Sequence, residues 1–183
     1  MSKQPVFIVG MNEVGKTLAR AFKAHGVPYI AVDHDRQRFL EATAAGYVVA
    51  YGQTDDIRFW NTLGVSRARA FCVASPRFAV SQSLAPVIKK LYPTLKRYVA
   101  VKDSADGVRF AALGLTPFHA HGVPPGLEMA SFILREFGHE EEAIHEWVDE
   151  EQSAYLETHM PMPAEANAVP PSSSEEDKPG AAA

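Results

Sequence analysis

The chain has 183 residues, enough for one globular domain with a substantial core and hardly for two. Hydrophobic residues make up 46% and charged residues 22%, no apolar run approaches the ~20 residues that cross a bilayer, and Cys72 is the single cysteine. These counts exclude a helical membrane span, an intramolecular disulfide and a wholly disordered chain, and they argue against a cysteine-based zinc site. The net charge of −4 hides two opposite parts. Residues 1–138 carry 17 Lys and Arg against 10 Asp and Glu, a balance of +7; residues 139–183 carry one Lys against 12 acids, a balance of −11. A moderately basic part suits an anionic ligand or an acidic partner. Residues 1–5 hold no long apolar segment, so no secretory signal is expected and the chain reads as cytoplasmic.

Residues 6–9 form a continuous apolar run ending at Gly10, as in a strand covered on both faces. A helix is predicted over 14–25, with Leu18, Ala21 and Phe22 on one face and Gly26 as its stop. A second strand, 29–32, closes on Asp33. A helix over 36–45 should turn Phe39, Leu40 and Thr43 inward and stop at Gly46. Residues 47–51 read as a third strand, 55–63 as a short helix closed by Gly64, and 70–73 as a fourth strand. Residues 78–91 read as a helix that Pro86 should kink or bound. A fifth strand over 97–101, a helix over 105–113, a sixth strand over 116–120 and a helix over 126–137 follow. The alternation predicts an α/β fold: a doubly wound, parallel, six-stranded, Rossmann-like sheet with helices on both faces.

Gly10-Met11-Asn12-Glu13-Val14-Gly15 follows the first strand and opens the first helix, the position of the dinucleotide fingerprint G-x-G-x-x-G. The first glycine allows the tight turn, and the third lets helix and strand pack closely. The helix N-terminus offers backbone N–H groups and a positive dipole end to phosphate. Asn12 stands where the middle glycine would let the backbone approach a pyrophosphate. Asn tolerates left-handed dihedrals, so the turn can form, but its side chain takes space that a diphosphate would use. Asp33 closes the second strand, where a carboxylate accepts hydrogen bonds from a ribose and disfavours a 2′-phosphate.

With these residues in place the chain resembles the RCK domain, the regulator of potassium conductance also called the TrkA N-terminal domain. It is most similar to the cytoplasmic domain of Kef-type potassium efflux antiporters. The resemblance covers about residues 5–137 and is carried by residues 6–15, 28–35, 46–52, 91–95 and 99–103. It implies a domain that binds AMP, ADP, ATP or NAD(H), dimerises and gates a potassium pathway without being a catalyst. On that basis Gly10, Met11, Asn12, Glu13, Val14 and Gly15 would face phosphate, Asp33 the ribose and His34 the adenine. Gln53, Thr54 and Ser75 would line the remaining rim. The chain departs from the family pattern at Asn12, at Gln53 where an Asp is usual, and at 75–77, which follow the fourth strand without the usual two Asp. It departs again at Ala100 and Lys102, where many members have arginines. Regulation by glutathione therefore does not carry over. The implied partners are a second copy of the chain and a membrane potassium transporter, in the same chain or as a separate subunit. That would place the domain at the cytoplasmic face of the inner membrane, with no insertion of its own.

Other constellations carry less. His119 and His121 share a face if their segment is a strand, but no third ligand has suitable local spacing. Cys72 lies within a strand and should be a buried thiol. The basic and aromatic residues at 89–98 belong to a helix, loop and strand, so no nucleic-acid role is assigned. Over 141–156, Ile144, Trp147, Val148 and Tyr155 form one stripe of an otherwise acidic helix. Such a helix is marginal alone in water, so the stripe should dock on the basic core, on a second subunit or on the transporter. Residues from 158 onward, rich in Pro, Ser, Ala and Glu, should be disordered. The domain reading is a Rossmann-like nucleotide-binding unit over 1–138, an acidic helix over 139–157 and a tail over 158–183. Two alternatives stay open at this point: a small NAD-dependent oxidoreductase, and a degenerate Rossmann fold used as an interaction module.

Overall fold

The structure, a computed structural model, describes residues 4–159. The tail expected from residue 158 lies outside them, except for Thr158 and His159, which close the last helix.

Six strands form one parallel sheet: β1 (Val6–Val9), β2 (Tyr29–Asp33), β3 (Val49–Tyr51), β4 (Ala70–Val73), β5 (Lys96–Val101) and β6 (Thr116–His119). Their order is β3-β2-β1-β4-β5-β6. The helices are α1 (Glu13–Ala24), α2 (Arg36–Ala44), α3 (Ile57–Thr62), α4 (Phe78–Leu91), α5 (Ser104–Ala112), α6 (Leu127–Glu136) and α7 (Glu141–His159), with a 3-10 turn at Val65–Arg67. β1 reads as an unbroken apolar run because both of its faces are covered. Val6 and Ile8 pack with Leu18 and Phe22 of α1, and with Met129, Ile133 and Leu134 of α6. Phe7 and Val9 pack on the other face with Trp60, Phe71 and Ile88. Trp60 is fully buried, stands edge-on to Phe7 and Phe71, and donates its indole N–H to the Thr54 carbonyl at 3.1 Å.

The inward stripe of α2 differs from expectation, and Pro86 does not bound its helix. α2 buries Ala42 rather than Leu40 and Thr43, which are exposed; Phe39 is half-buried against Tyr51. The helix leans on the edge of the sheet beside the short strand β3, so a narrow stripe suffices. α4 runs through Pro86 without ending, because Leu84, Ala85 and Ile88 turn inward and Pro86 lies on the solvent side. The carbonyl of Gln82, which loses its helical partner to Pro86, belongs to an exposed residue.

α7 lies on the core of its own chain. Ile144 is fully buried and Trp147 nearly so, both joined to the α1–α6 cluster, while Val148 and Tyr155 are half-buried. The Arg20 guanidinium of α1 donates to Glu151 and to the Tyr47 hydroxyl. Of the docking surfaces expected for the acidic helix, the basic core is the one it occupies here. Trp147→Ala is therefore expected to lower unfolding free energy by about 3–5 kcal/mol in denaturant melts. A loss below about 1 kcal/mol would mean that α7 is not part of the folded unit.

Candidate functional site

The strand order reverses between β1 and β4, and ligands of open α/β sheets bind at such a switch point, beyond the carboxyl ends of the strands. β1 ends there at Gly10, whose φ of 96° lies in the region that side chains rarely adopt. A Cβ on Gly10 would stand 2.4 Å from the Ser75 Cβ, and one on Gly15 would stand 2.0 Å from the Gly10 carbonyl oxygen. Both glycines are thus demanded by close approach: one between the loops after β1 and β4, the other between turn and helix.

Met11 buries its side chain in the core, and its N–H donates to the Asp33 carboxylate at 2.8 Å. Asn12 caps α1, with its Oδ1 accepting from the Gly15 N–H at 3.1 Å. Its Nδ2 donates to the Ala74 carbonyl at 3.0 Å. The backbone of Asn12 is extended, with φ −70° and ψ −175°, so the left-handed tolerance expected of it is not used. Glu13 is exposed and pairs with Lys16 at 3.1 Å, and Val14 is buried. Their N–H groups open the helix and have no intrahelical acceptor.

Asp33 is engaged by the chain's own donors. Its side chain is fully buried. Oδ2 accepts from the Met11 N–H and from Arg38 Nε at 3.0 Å. Oδ1 accepts from the Asp35 N–H at 2.8 Å and from Arg38 Nη2 at 3.2 Å. A carboxylate offers about four acceptor positions, and the chain itself fills them. A ribose hydroxyl reaches Asp33 only if Arg38 withdraws. Burial by itself would raise the carboxyl pKa, but the Arg38 guanidinium and the amides of Met11 and Asp35 outweigh it and hold the pKa below its usual value.

The other expected rim residues separate into two groups. His34 is half-exposed, with Nδ1 3.8 Å from Asp33 Oδ1. Gln53 is exposed, whereas Thr54 is buried and its hydroxyl accepts from Arg77 at 2.9 Å. Thr54, Ser75 and Arg77 border a narrow cavity of about 40 Å³ under α4, lined by Val9 and Trp60. A wider cleft of about 370 Å³ lies between the ends of β4 and β5 and the start of α5, bordered by Asn12, Ser75, Lys102 and Arg109.

The sequence reading passed over Arg38 and Arg77. Arg38 stands five residues after Asp33, in the first turn of α2, near enough in sequence for its side chain to reach back. Arg77 meets Thr54 from 23 residues away, a contact that no local spacing announces. Among the described residues no group of three or more His, Cys, Asp or Glu could hold a metal, and His119 and His121 form an exposed stacked pair. Cys72 is buried in β4, and burial pushes its thiol pKa up, so it stays protonated. No described helix is long and apolar enough to cross a membrane.

The TrkA-N domain family model matches residues 6–117. Two curated relatives are K+ efflux antiporters 1 and 2, chloroplastic, of Arabidopsis thaliana. They are 23% and 21% identical over 70% of this chain, which spans only 11% of the length of each. Among solved structures, the Kef CTD of Shewanella denitrificans in AMP-bound form superposes with a TM-score of 0.55 at 17% identity, over 84% of this chain and 96% of that one. The GsuK channel bound to NAD gives a TM-score of 0.56 at 19% identity, over 63% of this chain and 21% of that one. At these identities the structural likeness speaks for the fold alone.

The buried carboxylate makes a pH prediction. A pKa depressed by folding stabilises the protein above the unfolded value near 3.9, and that contribution is lost as pH falls through the folded value. The wild type should lose stability below about pH 4 more steeply than Asp33→Asn in denaturant melts across pH. Parallel acid limbs would show that the Asp33–Arg38 pair is not ionised in the folded protein.

Proposed function

The chain belongs to the TrkA-N domain family, and from that premise we propose that it is a regulatory domain which binds an adenine nucleotide or NAD(H) and gates a potassium transport system. The observation that carries this reading is the N-terminus of α1, whose Glu13 and Val14 amides have no intrahelical acceptor, held at the switch point of the sheet by Gly10, Asn12 and Asp33. The amides of Glu13 and Val14 would take a phosphate there, at the positive end of the helix. The ribose would displace Arg38 from Asp33, His34 would border the adenine, and Gln53, Thr54 and Ser75 would form the outer rim. The domain would act through occupancy and not through chemistry. It would act as a homodimer attached to, or assembled with, a membrane potassium transporter on its cytoplasmic side. The names of the curated relatives and of the AMP-, ADP- and NAD-bound structural neighbours support this reading.

Native mass spectrometry and thermal melts with AMP, ADP, ATP, NAD+ and NADH test it. A ligand at a hundred times its Kd adds about 2.7 kcal/mol. In a chain of this size that raises Tm by about 5–10 °C. A spectrum free of nucleotide together with unchanged melting in all five would overturn the proposal. Hydride transfer to an acceptor would replace it with an oxidoreductase.

A further inference from the structure

Resting on the nucleotide reading above, we infer that Asn12 divides the crevice and makes it a mononucleotide site, closed to dinucleotides. A dinucleotide at such a switch point lies across it. One half sits over the β1–β2 side, the other over the β4–β5 side, and the pyrophosphate crosses at the first turn. The Asn12 carboxamide spans that crossing. One end holds the Gly15 N–H at 3.1 Å, and the other holds the carbonyl of Ala74, just past the end of β4, at 3.0 Å.

Three consequences follow from this bridge. The side chain fills the path that a glycine would leave open to the diphosphate. The Gly15 N–H, a donor a second phosphate could use, is already taken. The Ala74 carbonyl, an acceptor that would repel phosphate oxygens, is held at the same place. Swinging Asn12 aside breaks both hydrogen bonds and uncaps α1, so the bridge resists displacement. Neither glycine can compensate by shifting the turn, because Gly10 is pressed against Ser75 and Gly15 against the Gly10 carbonyl. AMP carries one phosphate, and the amides of Glu13 and Val14 suffice for it without reaching the crossing. The cleft of about 370 Å³ beyond Asn12, with Lys102 and Arg109 on its border, then lies outside the nucleotide site although a dinucleotide would fill it.

Titration calorimetry with AMP and NAD+ on the whole chain tests the inference, using the wild type, Asn12→Gly and Asn12→Ser. Serine caps a helix as well as asparagine does but is too short to reach the Ala74 carbonyl, and glycine gives up the cap at small cost. Both variants should therefore fold, and the serine variant separates the bridge from the cap. The wild type should bind AMP at least tenfold more tightly than NAD+. Both variants should shrink that ratio tenfold or more, mainly by tightening NAD+. Wild-type protein that binds NAD+ as tightly as AMP would overturn the inference and leave the nucleotide reading standing. Equal changes for both ligands in both variants would do the same. Absence of binding by either ligand in all three proteins would overturn the nucleotide reading itself.

Discussion

A fully buried carboxylate is an expensive object, since stripping its water costs several kcal/mol unless donors replace it. Asp33 is such a group, and the four hydrogen bonds that satisfy it tie the turn after β1 to the stretch that runs from the end of β2 into α2. The Met11 N–H fixes the turn after β1. The Asp35 N–H fixes the bend after β2, where Asp35 in turn caps α2 through the Arg38 N–H at 3.0 Å. The Arg38 side chain returns from the first turn of that helix to close the ring. Met11 also anchors the turn from the other side by burying its side chain. The orientation of the α1 N-terminus thus follows from satisfying one charge, and the whole candidate site is organised around that end of the helix.

The same economy explains what the site presents outward. With Asp33 buried, Arg38, about a third exposed, is the group at the surface of that corner. On the opposite side of the first turn Asn12 joins β1 to β4. It substitutes a side-chain bridge for the open crevice that a glycine would leave. A basic core next to an acidic helix completes the arrangement. Trp147 meets His25 near the end of α1, and Glu151 meets Arg20 about one turn earlier, so α7 runs back along α1 towards its N-terminus. Arg20 and Arg135 of the basic part thus pair with Glu151 and Glu141 of the acidic helix.

The parallel sheet, its six strands and its helices were legible because apolar runs, helical spacings and glycine stops recur in a regular alternation. β1 and β4 are apolar throughout, and only a strand covered on both sides can be. The glycine motif was legible for the same reason: Gly10 and Gly15 stand where backbones touch, whatever ligand they serve. Legibility failed where partners come from a distance or from an edge. The inward stripe of α2 was misplaced because an edge helix touches little of the core. The role of Asp33 was read from position alone, and position does not reveal that Arg38 fills the acceptors first. Arg77 and Thr54 belong to different loops, and their meeting depends on how β3 and β4 flank β1 and β2 in the sheet.

The most direct test of this account is amide hydrogen exchange, residue by residue, with and without saturating AMP. The Met11 amide should exchange slowly in both states, because its acceptor is the buried Asp33 carboxylate. The Glu13 and Val14 amides should exchange fast in the free protein and gain protection when AMP binds. AMP bound with no gain at Glu13 and Val14, or a Met11 amide that exchanges as fast as theirs in the free protein, would contradict it.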